Sequence, residues 1–233
     1  MTNWTRADTN DGPVTRQLVE NTHFLTDILR ERTRALHVRA ERSGIIKDIL
    51  RGKASRYGYA LLLRNLLPAY QQMEAGLDRH PLPPMRAIAR RELYRAPALE
   101  SDLQALYGVA WPRLLPLLPV GDRYARRVTS AAGDGGGRLI AHIYTRYFGD
   151  LSGGQILKKL LAGNLGLTSR ELSFYDFPHI ADAAVFKRDY RRALNQAAQE
   201  ISDVDAIVAE AMSTFEHNIA VSESVKEAAA DRH

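Results

Sequence analysis

The chain is 233 residues long, 45% hydrophobic and 25% charged, a globular composition with enough length to bury a substantial core. It has no cysteine, so disulfides, thiolate metal sites and cysteine nucleophiles are excluded. The net charge of +5 favours an acidic partner or an anionic ligand, but no nucleic-acid motif accompanies it, and no run of eighteen apolar residues is present to span a membrane. Residues 1–20 read as a polar, flexible lead-in without the apolar stretch of a secretory signal, which fits a cytoplasmic location.

From His23 to Glu41 the pattern is helical, with Leu25, Leu29, Leu36 and Ala40 on one stripe. Ser43-Gly44 breaks it, and Ile45, Ile46, Ile49 and Leu50 form a short apolar helix ending near Gly52. Ser55 is placed to cap the next helix, whose apolar face carries Tyr59, Leu62, Leu63, Leu66, Leu67, Tyr70 and Leu77, with Pro68 expected to kink it. His80 to Pro84 is a loop signal, residues 85–95 are short and basic, and Pro97 to Leu106 is helical. Trp111 to Pro119, with three prolines, closes that unit. Asp122 to Ala132 is helical, Gly133 to Gly137 is a flexible break, and Arg138 to about Leu161 reads as one long helix with glycines in its middle. A loop over Gly163–His179 precedes two helices, near Ala181–Glu200 and Ser202–Val221, and Ser222 to His233 is a polar, alanine-rich tail. No strand alternation or internal repeat appears, so the expectation is a single all-α domain over residues 21–222, with a lead-in at 1–20 and a tail at 223–233.

The most informative stretch runs from Ala141 to Gln155. A glycine inside a helix costs roughly 1 kcal/mol relative to alanine, and Gly149, Gly153 and Gly154 sit among good helix formers. Either the helix breaks or bends there, or its backbone must lie against something flat and large. Asp150, among these glycines, is either a solvated or capping carboxylate or one that organises water over a ligand. The segment is no phosphate loop, since Gly-Lys-Ser/Thr is missing and no strand precedes it. His37 has Thr33 one turn before it and Glu41 one turn after. A neutral imidazole facing an apolar pocket can ligate iron, with a carboxylate orienting its other nitrogen. Composition does not single it out from the six other histidines.

Tyr144-Thr145-Arg146-Tyr147-Phe148-Gly149-Asp150-Leu151-Ser152-Gly153-Gly154-Gln155 closely resembles the distal-helix signature of heme oxygenases. Leu29 to Glu41 resembles that family's proximal helix, and the order and separation of the two segments agree. The resemblance covers about residues 25–222. It implies an all-α, heme-oxygenase-like fold with heme held between a proximal and a kinked distal helix. The implied enzyme is an oxidoreductase that opens heme at a meso carbon to biliverdin, CO and ferrous iron, using O2 and external electrons.

Carried over residue by residue, His37 would be the axial ligand of the heme iron and Glu41 its hydrogen-bonding neighbour. Gly149 and Gly153, with Gly154 beside them, would let the distal helix approach the heme face. Asp150 would hold the distal water network that supplies protons. Lys187 and Arg191, four apart on one helical face, resemble the propionate-binding pair; Tyr144, with Thr145 next to it, would add a hydroxyl. Arg30 stands where the family commonly has lysine, which keeps the charge but changes its reach. Phe215 and Asn218 match a Phe-x-x-Asn motif and would pack at the heme edge and beside the pocket. Each cation reads equally as a solvated surface charge, and Phe215 as a core residue.

The implied cofactor is heme b, at once substrate and cofactor. The basic surface suits an acidic electron donor such as ferredoxin, flavodoxin or a flavin reductase; neither nucleic acid nor membrane is an expected partner. The alternative of another class is a heme carrier of the same fold, which would need His37 and the cations but not Asp150 or the close glycines. Thiamin-degrading relatives usually need a cysteine nucleophile. Di-iron oxidases need Glu-x-x-His pairs, of which Glu20 and His23 form one. A basic nucleic-acid-binding helical protein leaves the glycine cluster without explanation.

Overall fold

Ser55 opens the helix around which the others are arranged. Its Oγ accepts the Gly58 N–H at 3.0 Å, supplying one of the partners that a helix start lacks. In the computed structural model, which describes residues 24–133, 135–201 and 203–231, that helix runs from Arg56 to Arg79. It continues through Pro68, and every apolar side chain expected on its inner face is buried. The lead-in and the Glu20–His23 pair lie outside the described residues.

Twelve α-helices and four short 3-10 turns make up the described residues, which include no strand. They are α1 (Leu25–Arg32), α2 (Arg34–Glu41), α3 (Gly44–Leu50), α4 (Arg56–Arg79), α5 (Pro83–Ala87), α6 (Ala96–Tyr107), α7 (Trp111–Leu114), α8 (Pro119–Gly133), α9 (Gly137–Ser152), α10 (Gly154–Leu165), α11 (Ala183–Glu200) and α12 (Val204–Ala230). The all-α expectation holds. α4 packs against α6, α8, α9 and α12, and their facing side chains form one continuous core.

Three departures from the sequence expectations have local causes. The first helix is interrupted at Thr33, whose hydroxyl donates to the Leu29 carbonyl at 2.7 Å and competes with the backbone ladder. The long helix expected over 138–161 is interrupted at Gly153. The ladder nevertheless continues across it, from Gly153 N to Gly149 O (2.8 Å) and from Leu157 N to Gly153 O (3.2 Å). The last helix does not stop at Val221 but reaches Ala230, because Val225 and Ala229 continue its buried stripe. Gly44 lets α3 approach α12 closely: its φ is +52°, and a Cβ there would lie 2.2 Å from the Ser222 carbonyl carbon. Ser222 closes the junction by accepting the Ile46 N–H at 3.1 Å and donating to the Ser43 carbonyl at 3.0 Å.

Candidate active site

A cavity of ≈ 1450 Å³ opens between α2 on one side and the α9–α10 junction on the other, with α4 and α12 behind it. That is larger than the roughly 300–1,000 Å³ of ordinary small-molecule pockets. Of the residues singled out from the sequence, Arg30, His37, Glu41, Tyr144, Thr145, Gly149, Asp150, Gly153, Gly154, Phe215 and Asn218 line it. Lys187 and Arg191 do not. They sit on α11 at its rim, where Lys187 Nζ donates to Ser152 Oγ at 3.2 Å and the Arg191 guanidinium lies 5.2 Å from the centre of the Phe148 ring.

His37 comes from α2, a helix with no buried residue, so its ring is open to the cavity. Its Nδ1 faces Glu41 Oε1 at 3.6 Å, one turn on, which directs Nε2 away from that carboxylate. Phe215 of α12 stands edge-on to the imidazole with ring centres 6.0 Å apart. The proximal wall is thus an imidazole, a carboxylate behind it and an aromatic ring beside it.

On the opposite wall the three glycines separate into two kinds. A Cβ built on Gly149 meets nothing within 4 Å, and one on Gly153 meets only the Gly149 carbonyl at 3.5 Å. These two lie one turn apart and present bare backbone to the cavity. Gly154 is different: a Cβ there would come 3.0 Å from Cδ1 of Tyr175, so it serves the packing of the 173–175 turn.

Asp150 is buried behind this bare face. The Tyr70 hydroxyl donates to its Oδ2, and Arg146 Nη2 reaches Oδ1 at 3.3 Å. Arg146 also donates through Nε to the Tyr70 oxygen (2.8 Å) and through Nη1 to Asn218 Oδ1 (2.8 Å). Burial pushes the Asp150 carboxyl above its ordinary range, against the opposing pull of Arg146 and Tyr70. The result is a carboxyl within reach of a proton, in a site where donors and acceptors are already oriented. At the other end of the cavity Tyr144 donates to the Thr26 carbonyl at 3.3 Å, and burial raises its phenol against Arg191 and Arg30. Thr145 Oγ1 is buried with no hydrogen-bond partner among the described residues.

Tyr70 and Arg146 had no assigned role in the sequence reading. Arg146 precedes Asp150 by four residues, a spacing that puts both on one helical face. Tyr70 was legible only as a member of an apolar stripe; its buried hydroxyl needs a partner, and the partner arrives from α9.

A sequence model of the heme oxygenase family matches residues 23–224. Heme oxygenase 1 of Homo sapiens is 35% identical over 207 residues, covering 87% of this chain and 72% of that protein. Heme oxygenase 1 of Synechocystis is 37% identical over 198 residues, covering 84% of this chain and 82% of that protein. Among solved structures, heme oxygenase-1 from Synechocystis in complex with heme superposes with a TM-score of 0.83 at 35% identity, covering 89% of this chain and 95% of that one. The heme oxygenase of Leptospira interrogans gives 0.80 at 37% identity, covering 86% of this chain and 98% of that one. The family match over nearly all the described residues, together with these relatives, shows that the chain belongs to the heme oxygenases, all-helical enzymes that bind heme and degrade it to biliverdin.

Proposed function

We propose that heme, the substrate, enters this cavity with its iron on Nε2 of His37 and its other face against the bare backbone of Gly149 and Gly153. The residues fit such a ligand: an imidazole stands on one wall, and on the other the two glycines leave open the space that side chains would fill. Glu41 orients the imidazole through Nδ1, and Phe215 limits its rotation. At the open end Arg30, Tyr144, Arg191 and Lys187 receive the two propionates, which fixes how the macrocycle is turned in the slot and so which meso edge faces the distal helix.

Bound heme supplies the iron at which O2 and external electrons react, and its own meso carbon is the atom attacked. The protein governs the proton. Asp150, buried and held by Tyr70 and Arg146, passes a proton from water to the distal side without presenting a freely ionised acid there. The observation that carries this reading is the placement of the Asp150 network directly behind the Gly149–Gly153 face. In single turnover with hemin, reductant and air, Asp150→Asn should bind heme with an unchanged spectrum. Its yield of biliverdin and CO should fall about a hundredfold or more, the range for losing a positioned acid. An unchanged yield would remove Asp150 from the mechanism.

Electrons come from an acidic donor of the ferredoxin, flavodoxin or flavin-reductase class. Arg188 and Arg192 lie exposed on α11, the helix that carries Lys187 and Arg191, and share Asp189 as an ion-pair partner, while Arg30 lines the cavity from α1. Charges this exposed act over about 8–10 Å at moderate salt. Reduction by such a donor should therefore slow steeply as salt is raised, while reduction by dithionite should not; equal salt dependence would exclude electrostatic docking.

A further inference from the structure

The buried faces of α9 and α12 carry polar side chains one turn apart: His142, Arg146 and Asp150 on one, Glu210, Thr214 and Asn218 on the other. They pair as a ladder that begins well away from the cavity. Arg127 of α8 donates to both carboxylate oxygens of Glu210, from Nε to Oε1 at 2.8 Å and from Nη2 to Oε2. His142, fully buried, places Nε2 2.8 Å from Glu210 Oε1 and Nδ1 3.0 Å from Thr214 Oγ1.

The protonation states follow from these neighbours. Burial lowers the His142 pKa against the pull of Glu210, so the ring is neutral. Burial opposes ionisation of Glu210, but His142 and Arg127 outweigh it and hold its pKa below the ordinary value. An ionised carboxylate only accepts, so the His142 proton is on Nε2 and points at Glu210. Nδ1 then carries a lone pair, and the single proton of the Thr214 hydroxyl is shared between that nitrogen and the Glu210 carbonyl one turn back. That hydroxyl also lies 2.8 Å from the Glu210 carbonyl.

One turn on, Asn218 Nδ2 donates to the Thr214 carbonyl at 2.7 Å and to the Tyr124 hydroxyl at 3.4 Å, while its Oδ1 accepts from Arg146 at 2.8 Å. A flipped amide would set NH2 against the guanidinium and oxygen against the carbonyl, so only one orientation satisfies both sides. We propose that Thr214, tied by its hydroxyl to His142, is a positioning residue: it fixes the turn of α12 whose carbonyl orients Asn218 on Arg146, and through Arg146 it holds Asp150. This rests on the Asp150 reading above. Thr214 itself is fully buried and does not line the cavity.

The test is Thr214→Val, which keeps the shape and removes the hydroxyl, with Thr214→Ser as the rescue. In the heme-free protein, the Asn218 side-chain amide should exchange with water about two- to tenfold faster in Thr214→Val, the range for losing one net hydrogen bond. Backbone amides of α9, the neighbouring helix, should keep their rates. With heme, affinity should be unchanged and biliverdin yield lower by a similar factor, and Thr214→Ser should restore both. Unchanged Asn218 exchange and unchanged yield in Thr214→Val would overturn the proposal, as would equal acceleration of every α9 amide, which marks a merely structural role. Histidine 15N shifts of the wild-type protein test it without any variant: His142 must be the neutral Nε2–H tautomer, and an Nδ1–H ring would overturn it. Asp150→Asn run alongside separates the two failures. If that variant loses yield and Thr214→Val does not, the positioning role falls alone; if neither loses yield, the Asp150 reading falls with it.

Discussion

A glycine's meaning depends on what its missing side chain would touch. Gly149 and Gly154 are five residues apart in one motif, yet they do opposite things. Gly149→Ala adds a methyl into open space and gains helix propensity of about 1 kcal/mol. The heme-free variant should melt about 2–4 °C higher, while hemin titration shows weaker binding because the methyl occupies the ligand's place. Gly154→Ala gains the same propensity but drives a methyl to 3.0 Å from Tyr175. It should melt no higher than wild type and bind hemin more nearly as wild type does. If Gly154→Ala were the more stabilised of the two, the division of the glycines would be wrong. The glycine cluster was visible in the sequence, but its division was not, because Tyr175 comes from a distant turn. Likewise His37 stood level with six other histidines until the family motif singled it out. The Tyr70–Arg146 pair could not be read at all, since it exists only where α4 crosses α9.

At the scale of helices, the hydrophobic stripe located most elements, and two of the errors fell where the backbone departs from helical angles at one residue while the ladder continues. Thr33 and Gly153 each divide a helix that periodicity alone reads as continuous, because stripe spacing reports which face is apolar and not the backbone angles at a single residue. α2 is the instructive case. Its expected stripe, Leu36 and Ala40, is only partly covered, and no residue of the helix is buried. On the proposed placement of heme, the porphyrin would supply the apolar cover it lacks. In the heme-free protein the amides of residues 34–41 should exchange fastest among the central helices, and heme should slow them selectively, by mass action on the closed form. Equal protection of α2 and α4 without heme would contradict this.

For the molecule as a whole, the absence of strand alternation correctly indicated a helical fold, and the net charge of +5 suits a cavity lined by Arg30 and Arg34 with Lys187 and Arg191 at its rim. Neither observation could place that rim. α12, the last helix in the described chain, touches α1, α2, α3, α4, α8 and α9. It carries Phe215 to the proximal wall and Asn218 to the distal network at once. Most of these contacts join residues far apart in sequence, and closing such long loops is what slows a folding chain. During synthesis, the two walls of the cavity are made long before the strut that braces them. A ribosome-bound chain lacking residues 204–230 would present α2 and α9 without the helix that joins them, so competence to capture heme waits for α12.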